Sequence, residues 1–254
     1  MASSTFDQFV QDNEDFVKSF KPRYVHPECK YYMVIVEPRQ HSNFEFVCKT
    51  MLNFTDSNWG LQVFHSIDND RYVKECLKDV ENVRYVNLNV NTMTITDYNK
   101  LLTNKEFYRM IPSDIFIIFQ TDSCLLKEGI DGYTMFDYIG APWPHRNFFV
   151  GNGGFSIRKK RFILQCLDTF ERPPKTNEDV FFSTCSYFSV NGKRLNRNFP
   201  SLAKAISFSC EYIVTKELPL GVHKVIENIH IDNLNEVFRA NFIKQFSNSV
   251  SNSK

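Results

Sequence analysis

The chain has 254 residues, enough for one large α/β domain or two small ones, and its hydrophobic content of 43% is ordinary for a globular protein. Its 30 basic and 29 acidic residues nearly cancel, so no global electric field draws it to nucleic acid or to an anionic membrane. We therefore expect binding at a local site, with no nucleic-acid partner.

The first part of the chain is predicted to open with a strand and a helix. Residues 1–30 are expected to be a polar lead-in with one short amphipathic stretch, and Tyr31 to Val36 is the first apolar strand. Ser42 and Glu45 have the spacing of a capping box that begins a helix. The apolar face of that helix consists of Phe44, Val47, Met51 and Leu52.

The same alternation continues through the next two strands. Leu61 to His65 and Val83 to Leu88 are predicted strands. The helical segment between them is marked by Tyr72, Val73, Cys76, Leu77 and Val80. A further helical stretch is marked by Leu101, Leu102, Phe107 and Tyr108, and an apolar strand follows it from Asp114 to Phe119. This alternation predicts βαβ units in a mostly parallel sheet with helices on both faces.

The second half of the chain has shorter elements. Short strands are predicted at Phe136 to Gly140 and at Phe155 to Ile157, and helices at about 159–170 and 179–188. A last amphipathic helix is outlined by Leu234, Val237, Phe238 and Phe242. No repeat or linker interrupts the chain, so residues 31–246 are expected to be a single domain, followed by a flexible Ser/Asn tail at residues 247–254.

Cysteine usage and the N-terminus indicate a cellular compartment. The seven cysteines are widely spaced and contain no Cys-x-x-Cys pair, which predicts reduced thiols rather than disulfides or a zinc site. The N-terminus lacks a secretion signal, and no stretch approaches the ~18 apolar residues of a membrane-spanning helix. We expect a soluble, cytoplasmic protein with no transmembrane segment.

A single carboxylate, Asp122, follows the apolar strand that ends at Phe119. Open α/β sheets bind ligands beyond the carboxyl ends of their strands, so an acid there is well placed to hold a metal ion on a phosphate group. Asp122 and Ser123 equally fit a turn or a helix cap, because both side chains form local hydrogen bonds. The segment by itself leaves both interpretations open.

The segment from Gly151 to Gly154 contains three glycines, so its backbone can approach a ligand closely. It matches neither Gly-x-Gly-x-x-Gly nor a P-loop, and a flexible hairpin turn is the alternative. Trp143, in the Pro-rich loop before it, fits stacking on a sugar face or packing in the core.

Two adjacent acids, Glu178 and Asp179, lie where a helix is predicted to begin. A carboxylate at a helix N-terminus is stabilised as an anion and can accept the proton of an attacking hydroxyl. The segment from Thr176 to Asp179 also fits a helix N-cap. The two interpretations are compatible.

Five segments follow one another along the chain: Gln120–Ser123, Asp137–Trp143, Gly151–Ser156, Glu178–Phe182 and Gly221–Lys224. Together they resemble a family of GT-A-like glycosyltransferases catalogued as a domain of unknown function, and Trp59 to His65 is similar to that family too. The resemblance covers roughly residues 32–224. It implies a nucleoside-diphosphate-sugar donor and a Rossmann-like, mostly parallel twisted sheet with helices on both faces. A smaller mixed sheet would lie on the acceptor side.

The resemblance also implies a metal site for the departing diphosphate, whose charge must be neutralised during sugar transfer. Asp122 and His223 are the implied ligands of Mn²⁺ or Mg²⁺. Gln120 replaces the first acid of the usual Asp-x-Asp, so this site carries fewer charges and its metal dependence stays open. Considered alone, His223 fits a turn histidine with no ligand better than it fits a metal ligand.

The remaining site residues are assigned by the same resemblance. Asp179 is the expected general base of an inverting transfer to a carbohydrate or glycosylated acceptor, with Glu178 beside it. The donor is expected to contact Arg39, Thr121, Asp122, Asn152, Gly153 and Gly154, and the acceptor to contact Trp143 and Phe155.

Two groups of charges stay ambiguous. Arg39 follows the first strand and suits a nucleotide contact or a solvated loop. The basic run from Arg158 to Arg161 suits the diphosphate or, more commonly, the wet side of a helix.

Other functions compete with sugar transfer. A nucleotidyltransferase acting on sugar phosphates would usually carry a glycine-rich loop after the first strand, where this chain has Glu37, Pro38 and Arg39. A non-catalytic sugar- or nucleotide-binding module would bind without turnover. A scaffolding protein would require a large exposed apolar face, on which the sequence is silent.

Overall fold

The computed structural model describes residues 5–144, 151–185, 195–212, 217–224 and 233–241. Its helices are α1 (Thr5–Asp12), α2 (Glu14–Ser19), α3 (Phe44–Asn53), α4 (Asp70–Cys76), α5 (Ile95–Leu101), α6 (Lys105–Arg109), α7 (Lys160–Thr169), α8 (Glu178–Cys185), α9 (Leu202–Phe208) and α10 (233–241), with a short 3-10 helix at Ile130–Tyr133. Its strands are β1 (Arg23–Tyr24), β2 (Tyr31–Val36), β3 (Trp59–His65), β4 (Val80–Glu81), β5 (Arg84–Asn87), β6 (Ile115–Phe119), β7 (Ser123–Leu125), β8 (Tyr138–Gly140), β9 (Phe155–Lys159), β10 (Ser209–Cys210) and β11 (Gly221–His223).

Six strands form the main sheet, in the order β5-β3-β2-β6-β9-β8. The first four run parallel to one another, whereas β9 is antiparallel to β6 and β8 is antiparallel to β9. In the register of β2 and β6, Ile35 pairs with Phe119. The chain therefore leaves both central strands at the same edge of the sheet, and Glu37 and Thr121 meet there.

The central strands are apolar throughout because the sheet is covered on both faces. Met33 and Ile35 of β2 pack in one hydrophobic cluster together with side chains of α3 and α4. Val34 and Val36, which alternate with them, pack in a second cluster with side chains of α6, α7 and α8. The predicted mostly parallel sheet with helices on both faces is confirmed.

A small mixed sheet consists of β10, β11 and β7, with β11 in the middle. Strand β11 is parallel to β10 and antiparallel to β7. A smaller mixed sheet was expected, but its strands are segments in which no strand was predicted, because two or three residues are too few to show a period. The short strands that were predicted are β8 and β9, which extend the main sheet.

The first residues form more structure than the sequence indicated. Residues 5–19 were expected to be a polar lead-in with one amphipathic stretch, and they form α1 and α2. Their fully or nearly fully buried side chains are Phe6, Phe9 and Phe16. Phe9 makes edge-to-face contacts with Phe46 and Phe238, with ring centroids 5.8 and 5.4 Å away. The lead-in is therefore packed into the same core as α3 and α10.

The predicted capping box of Ser42 and Glu45 is wrong. Helix α3 begins too late for Ser42 to be its N-cap, and Asn43 occupies that position without a side-chain cap hydrogen bond. A capping box instead precedes α5, where Thr94 Oγ1 accepts the Asp97 N–H at 3.2 Å and Asp97 accepts the Thr94 N–H at 3.3 Å. The usual pattern has Glu or Gln at the second position, so an Asp there concealed this cap.

Two predicted helical stretches are shorter than their apolar spacing indicated. The stretch containing Val80 is helical only as far as Cys76, because Val80 belongs to β4. The stretch containing Tyr108 is divided into α5 and α6, and the Asn104 side chain caps the second helix. The pairing of β4 with the distant strand β1 overrides the helical spacing in the first stretch, and the local cap at Asn104 does so in the second.

The predicted helices of the second half are present. Those expected near 159–170 and 179–188 are α7 and α8, and the second is described as far as Cys185. The last predicted helix is α10. Phe242, which was assigned to that helix, and the predicted tail at 247–254 lie outside the described residues.

All seven cysteines are free thiols, and five of them are buried, as their spacing predicted. Within the described ranges, no helix combines the length and the apolar character needed to cross a membrane.

Candidate functional site

A cavity of about 420 Å³ lies at the edge of the main sheet where β2 and β6 end. Its volume is within the usual range for ligand pockets. The ends of both strands, the start of α5, the segment before β9, the start of α8 and the end of β11 all contribute to its wall. Among the lining residues are eight that the sequence analysis selected, namely Arg39, Thr121, Asp122, Asn152, Gly154, Glu178, Asp179 and His223.

The segment that carries Asp122 is a tight turn directly after β6. The Ser123 N–H donates to the Gln120 carbonyl at 3.1 Å, and Ser123 Oγ accepts the Gln120 N–H at 2.8 Å. Asp122 lines the cavity from the middle of this turn. The two interpretations left open for this segment, a turn and a site residue at the end of a strand, therefore describe the same geometry.

Strand pairing brings His223 next to Asp122. In the antiparallel pair of β7 and β11, His223 lies opposite Ser123, and the N–H of Lys224 donates to the Asp122 carbonyl at 2.8 Å. His223 Nε2 is 3.3 Å from Asp122 Oδ1. Lys224 has a φ angle of 51°, a left-handed conformation that is uncommon for residues other than glycine. Such backbone strain is concentrated at functional sites.

The buried His223 imidazole lies between two carboxylates. On the side away from Asp122, the buried Glu211 places its Oε1 atom 3.6 Å from His223 Nδ1. Burial alone would lower the pKa of His223, but the two carboxylates outweigh it and raise that pKa. Burial alone would raise the pKa of Asp122, but His223 and Lys224 hold it below its usual value.

Asp122 and His223 fit a divalent cation. Asp122 Oδ1 is buried without a hydrogen-bond partner of good geometry, and His223 Nε2 is close to it. Carboxylate oxygens and imidazole nitrogens are ordinary ligands of such ions. Across the described ranges, no three His, Cys, Asp or Glu side chains cluster closely enough to hold a metal ion. A cation held by Asp122 and His223 would therefore take its other ligand atoms from groups that are not His, Cys, Asp or Glu side chains.

The glycine segment lies against this pair. A Cβ atom on Gly154 would overlap the His223 imidazole and lie 2.6 Å from Gln120 Oε1. Asn152 Oδ1 accepts the Gly154 N–H at 2.6 Å, which holds the segment in place. The close approach of backbone to the site, which the three glycines indicated, requires a glycine at this position.

Asp179 lies in the first turn of α8, and backbone N–H groups hold its carboxylate. The Gly153 N–H donates to Oδ2 at 3.2 Å and the Val180 N–H donates to Oδ1 at 2.7 Å. The helix N-terminus adds a favourable dipole for the anionic form. Gly153 thus contacts Asp179 from behind the cavity wall, while Asp179 itself lines the cavity.

Glu178, expected to be catalytic beside Asp179, is instead part of a buried ion pair. Arg158 Nη1 and Nη2 donate to its two carboxylate oxygens at 2.7 and 3.0 Å, and the side chains of Arg158 and Glu178 are 0% and 5% exposed. Burial alone would lower the pKa of Arg158, but the charge of Glu178 outweighs it and raises that pKa. Because both oxygens are bonded, we reassign Glu178 to holding the start of α8.

Arg158 fits neither interpretation of the basic run to which it belongs. It is a fully buried residue of β9, so it lies neither on a diphosphate nor on the wet side of a helix. Arg158 Nε donates to Ser156 Oγ at 2.9 Å on the same face of the strand. The run is broken because α7 begins only at Lys160.

Arg39 lies at the rim of the cavity, with its side chain 63% exposed. Its Nε and Nη2 atoms each donate to the Glu37 carboxylate at 2.8 Å, and the Glu37 side chain is only 3% exposed. The Thr121 hydroxyl donates weakly to the same carboxylate at 3.4 Å. A bidentate pair of this kind holds the guanidinium at one place on the rim.

The two residues expected to contact the acceptor, Trp143 and Phe155, do not line the cavity that the described residues form. They are 8% and 0% exposed. Phe155 packs against Phe208, with ring centroids 5.3 Å apart. Side chains alternate between the two faces of β9, so Ser156 and Arg158 lie on the face toward the site and Phe155 lies on the other. Phe155 packs in the hydrophobic core, and we correct its assignment from an acceptor contact to a core residue.

Several residues that shape the cavity were not selected from the sequence. Glu37 carries the same signal as Asp122, an acid directly after a buried strand, and could have been found. The signal available for Arg158 is its position in β9, where side chains alternate and Arg158 lies on the same face as Ser156. Glu211 and Tyr98 contact residues distant in the chain, and nothing in their local sequence marks them.

The fold is similar to those of solved glycosyltransferase structures. The apo form of the glycosyltransferase GlyE from Streptococcus pneumoniae TIGR4 matches with a TM-score of 0.50 and 10% identity, over 87% of this chain and 64% of GlyE. A TarS fragment from S. aureus matches with a TM-score of 0.45 and 13% identity, over 61% of this chain and 54% of the fragment. The mannosyltransferase PcManGT from Pyrobaculum calidifontis, in complex with GDP-Man and Mn²⁺, matches with a TM-score of 0.46 and 10% identity, over 97% and 72% of the two chains.

The similarity to GlyE establishes that the fold is GT-A-like. The chain spans between about half and two thirds of the length of GlyE and of the TarS fragment. No curated protein sequence matches the chain significantly. The family model described as "Protein of unknown function (DUF5672)" matches residues 81–223, which include Asp122, Asp179 and His223. Because this match covers more than half of the 254 residues, the chain belongs to the DUF5672 family.

Proposed function

We propose that the protein is a glycosyltransferase that moves a sugar from a nucleoside-diphosphate-sugar donor to a hydroxyl group of a carbohydrate or glycosylated acceptor. The transfer inverts the anomeric carbon and uses Mn²⁺ or Mg²⁺. One observation carries this proposal: Asp122, His223 and Asp179 line a single cavity at the carboxyl edge of a GT-A-like sheet. The similarity of the fold to GlyE supports it.

In this proposal, the diphosphate of the donor binds beside Asp122, His223 and Lys224. When bound, the divalent cation supplies charge neutralisation for the departing diphosphate. Lys224 lines the same part of the cavity and adds a positive charge of the protein itself. Arg39, held on the rim by Glu37, offers a fixed guanidinium for the nucleotide.

Asp179 is the proposed general base. As the acceptor oxygen bonds to the anomeric carbon, its proton passes to the Asp179 carboxylate, and the bond from that carbon to the phosphate oxygen breaks. The electron pair of the broken bond leaves on the diphosphate. The N–H groups of Gly153 and Val180 hold the carboxylate in one orientation for this transfer.

The proposal retains a single catalytic domain at residues 31–246 and a cytoplasmic location. Supporting the first, one hydrophobic cluster contains side chains of α3, of the central strands β2 and β6, and of α10; it also includes α1 and α2, so the domain extends ahead of residue 31. Supporting the second, all seven cysteines are free thiols, which is usual in a reducing compartment.

The test measures nucleoside diphosphate release across a panel of nucleotide sugars and acceptors, with Mn²⁺ or Mg²⁺ and with EDTA. We expect release with one donor class, its loss in EDTA, and a decrease of about 100-fold to 10,000-fold in Asp179→Asn. The matched control is Asp168→Asn, since Asp168 is an exposed acid on α7, and it should retain wild-type activity.

Each other outcome has a defined meaning. Full activity of Asp179→Asn contradicts the assignment of the base. Release of pyrophosphate from a nucleoside triphosphate and a sugar phosphate would identify a nucleotidyltransferase instead. Calorimetric binding of a nucleotide without product from any donor would identify a non-catalytic module.

A further inference from the structure

A third atom capable of binding metal lies beside Asp122 and His223. The side-chain oxygen of Gln120, Oε1, is 3.2 Å from His223 Nε2, and His223 Nε2 is 3.3 Å from Asp122 Oδ1. All three residues line the cavity, and Gln120 Oε1 and the His223 imidazole lie against Gly154, where the atoms of a side chain would overlap them. One oxygen of Gln120 and one of Asp122 therefore each lie within 3.3 Å of the same imidazole nitrogen.

The spacing of these atoms suits one octahedral ion. Ligand atoms about 2.1 Å from a cation such as Mg²⁺ lie about 3 Å from each other when they are adjacent in the octahedron. The measured separations of 3.2 and 3.3 Å are close to that value. Three such ligands leave the other coordination positions for diphosphate oxygens and water.

The Gln120 amide is held with its oxygen toward this place. Its Nε2 atom donates to the Tyr98 hydroxyl at 3.1 Å, so the opposite end of the amide, Oε1, is the one next to His223. Tyr98 belongs to α5, whose start is fixed by the capping box of Thr94 and Asp97. A flipped amide would turn its N–H group toward the imidazole and leave no amide oxygen there for a cation.

We propose that Gln120 is a third protein ligand of the divalent cation, together with Asp122 and His223. This inference rests on the metal site of the proposed function. Glutamine is neutral, so Asp122 is the one carboxylate among the three ligands, and the protein neutralises only part of the charge of the ion. The donor diphosphate supplies the rest, and the cation therefore binds more tightly with a nucleoside diphosphate than alone.

The test measures Mn²⁺ affinity by electron paramagnetic resonance and calorimetry, alone and with UDP or GDP. Gln120→Leu removes the amide at similar size and should weaken Mn²⁺ binding by about tenfold or more. Gln120→Glu adds a charge at the same place and should strengthen binding of Mn²⁺ alone by about tenfold. Gln165→Glu makes the same charge change at an exposed position of α7 and should stay within about twofold of wild type.

A second measurement guards against misfolding. In Gln120→Leu, the coupling of Mn²⁺ to the His223 nitrogen in pulsed spectra should persist, because only the amide ligand is lost. Mn²⁺ affinities within twofold of wild type in both Gln120 variants would overturn the assignment, as would the absence of Mn²⁺ binding by the wild type. The proposed function fails separately, through the absence of nucleotide release from every donor.

Discussion

At the scale of single residues, the site depends on the absence of a side chain at Gly154. The His223 imidazole and the Gln120 amide occupy the volume in which a Cβ atom on Gly154 would lie. The backbone there is also held by Asn152 Oδ1. Any side chain at this position must displace either the loop or the imidazole.

We therefore predict that Gly154→Ala leaves the protein folded but lowers transfer activity by about 100-fold, because a displacement of roughly 1 Å at a reacting site has an effect of that size. Mn²⁺ affinity should fall as well. Steady-state kinetics and Mn²⁺ titration measure both effects. The matched control is Gly132→Ala, since a Cβ atom on Gly132 would meet nothing within 4 Å. Equal activity of the two variants would contradict this account.

At the scale of elements, the ion pair of Arg158 and Glu178 joins β9 to the start of α8. Arg158 Nη2 also donates to the Gly153 carbonyl at 3.1 Å, and the Glu178 N–H donates to Asn99 Oδ1 at 2.6 Å. Strand β9, helix α8 and helix α5 are thereby tied together around Asp179. The position of the Asp179 carboxylate, the proposed base, therefore depends on Glu178, which has no catalytic role in the proposal.

Glu178→Gln should reduce the free energy of unfolding by about 3–5 kcal/mol, because it leaves the buried Arg158 guanidinium without a counter-charge. Urea unfolding followed by circular dichroism measures the change. The exposed pair of Glu75 and Lys78 supplies the control, and Glu75→Gln should leave the free energy of unfolding nearly unchanged. In a double-mutant cycle, Arg158→Met with Glu178→Met should cost less than the sum of the single changes. Additive single effects would show that the pair is not coupled.

The elements themselves were largely predictable, and the exceptions have local causes. Strands β2 and β6 were identified because burial on both faces leaves a continuous apolar run in the sequence. Strands β7, β10 and β11 were missed because each is stabilised by its partner rather than by its own pattern. His223 reaches Asp122 through one of these unpredicted strands, so the site was less predictable than the sheet.

At the scale of the whole molecule, the beginning and the end of the described chain meet. Asn13 Nδ2 donates to Asn235 Oδ1 at 2.6 Å, and Arg239 Nε donates to Asn13 Oδ1 at 3.0 Å. Beneath these bonds, Phe9 and Phe238 pack edge to face in the core cluster that also contains β2 and β6. The N-terminal helices thus cover one side of the same core that supports the site.

Phe9→Ala should therefore destabilise the whole protein, by about 3–5 kcal/mol, since it leaves a cavity among the rings of Phe46 and Phe238. Thermal and urea unfolding measure this loss. Tyr24→Ala removes an aromatic ring that is 58% exposed and should change stability by less than about 0.5 kcal/mol. If Phe9→Ala were equally neutral, α1 would not be part of the cooperative unit.

Local sequence patterns predicted the layers of this protein and the strand end beside which the candidate site lies. Apolar runs and helical spacing are local properties, and an acid after a buried strand is visible wherever the strand can be identified. These were enough to predict a mostly parallel sheet with helices on both faces. The assignment of Asp122, Asp179 and the glycine segment to one ligand came from the resemblance to a family, since the residues alone left a turn, a helix cap and a hairpin open.

The contacts of each charged residue, by contrast, follow from the fold and could not be predicted from its neighbours in the sequence. Glu178 and Asp179 are neighbours of the same type and both line the cavity, yet the Glu178 carboxylate is paired with Arg158 while backbone N–H groups hold the Asp179 carboxylate. Glu37 and Asp122 both follow buried strands, yet Glu37 holds Arg39 while Asp122 lies beside His223. The role of a carboxylate depends on which charges share its low-dielectric surroundings, and those partners come from distant parts of the chain.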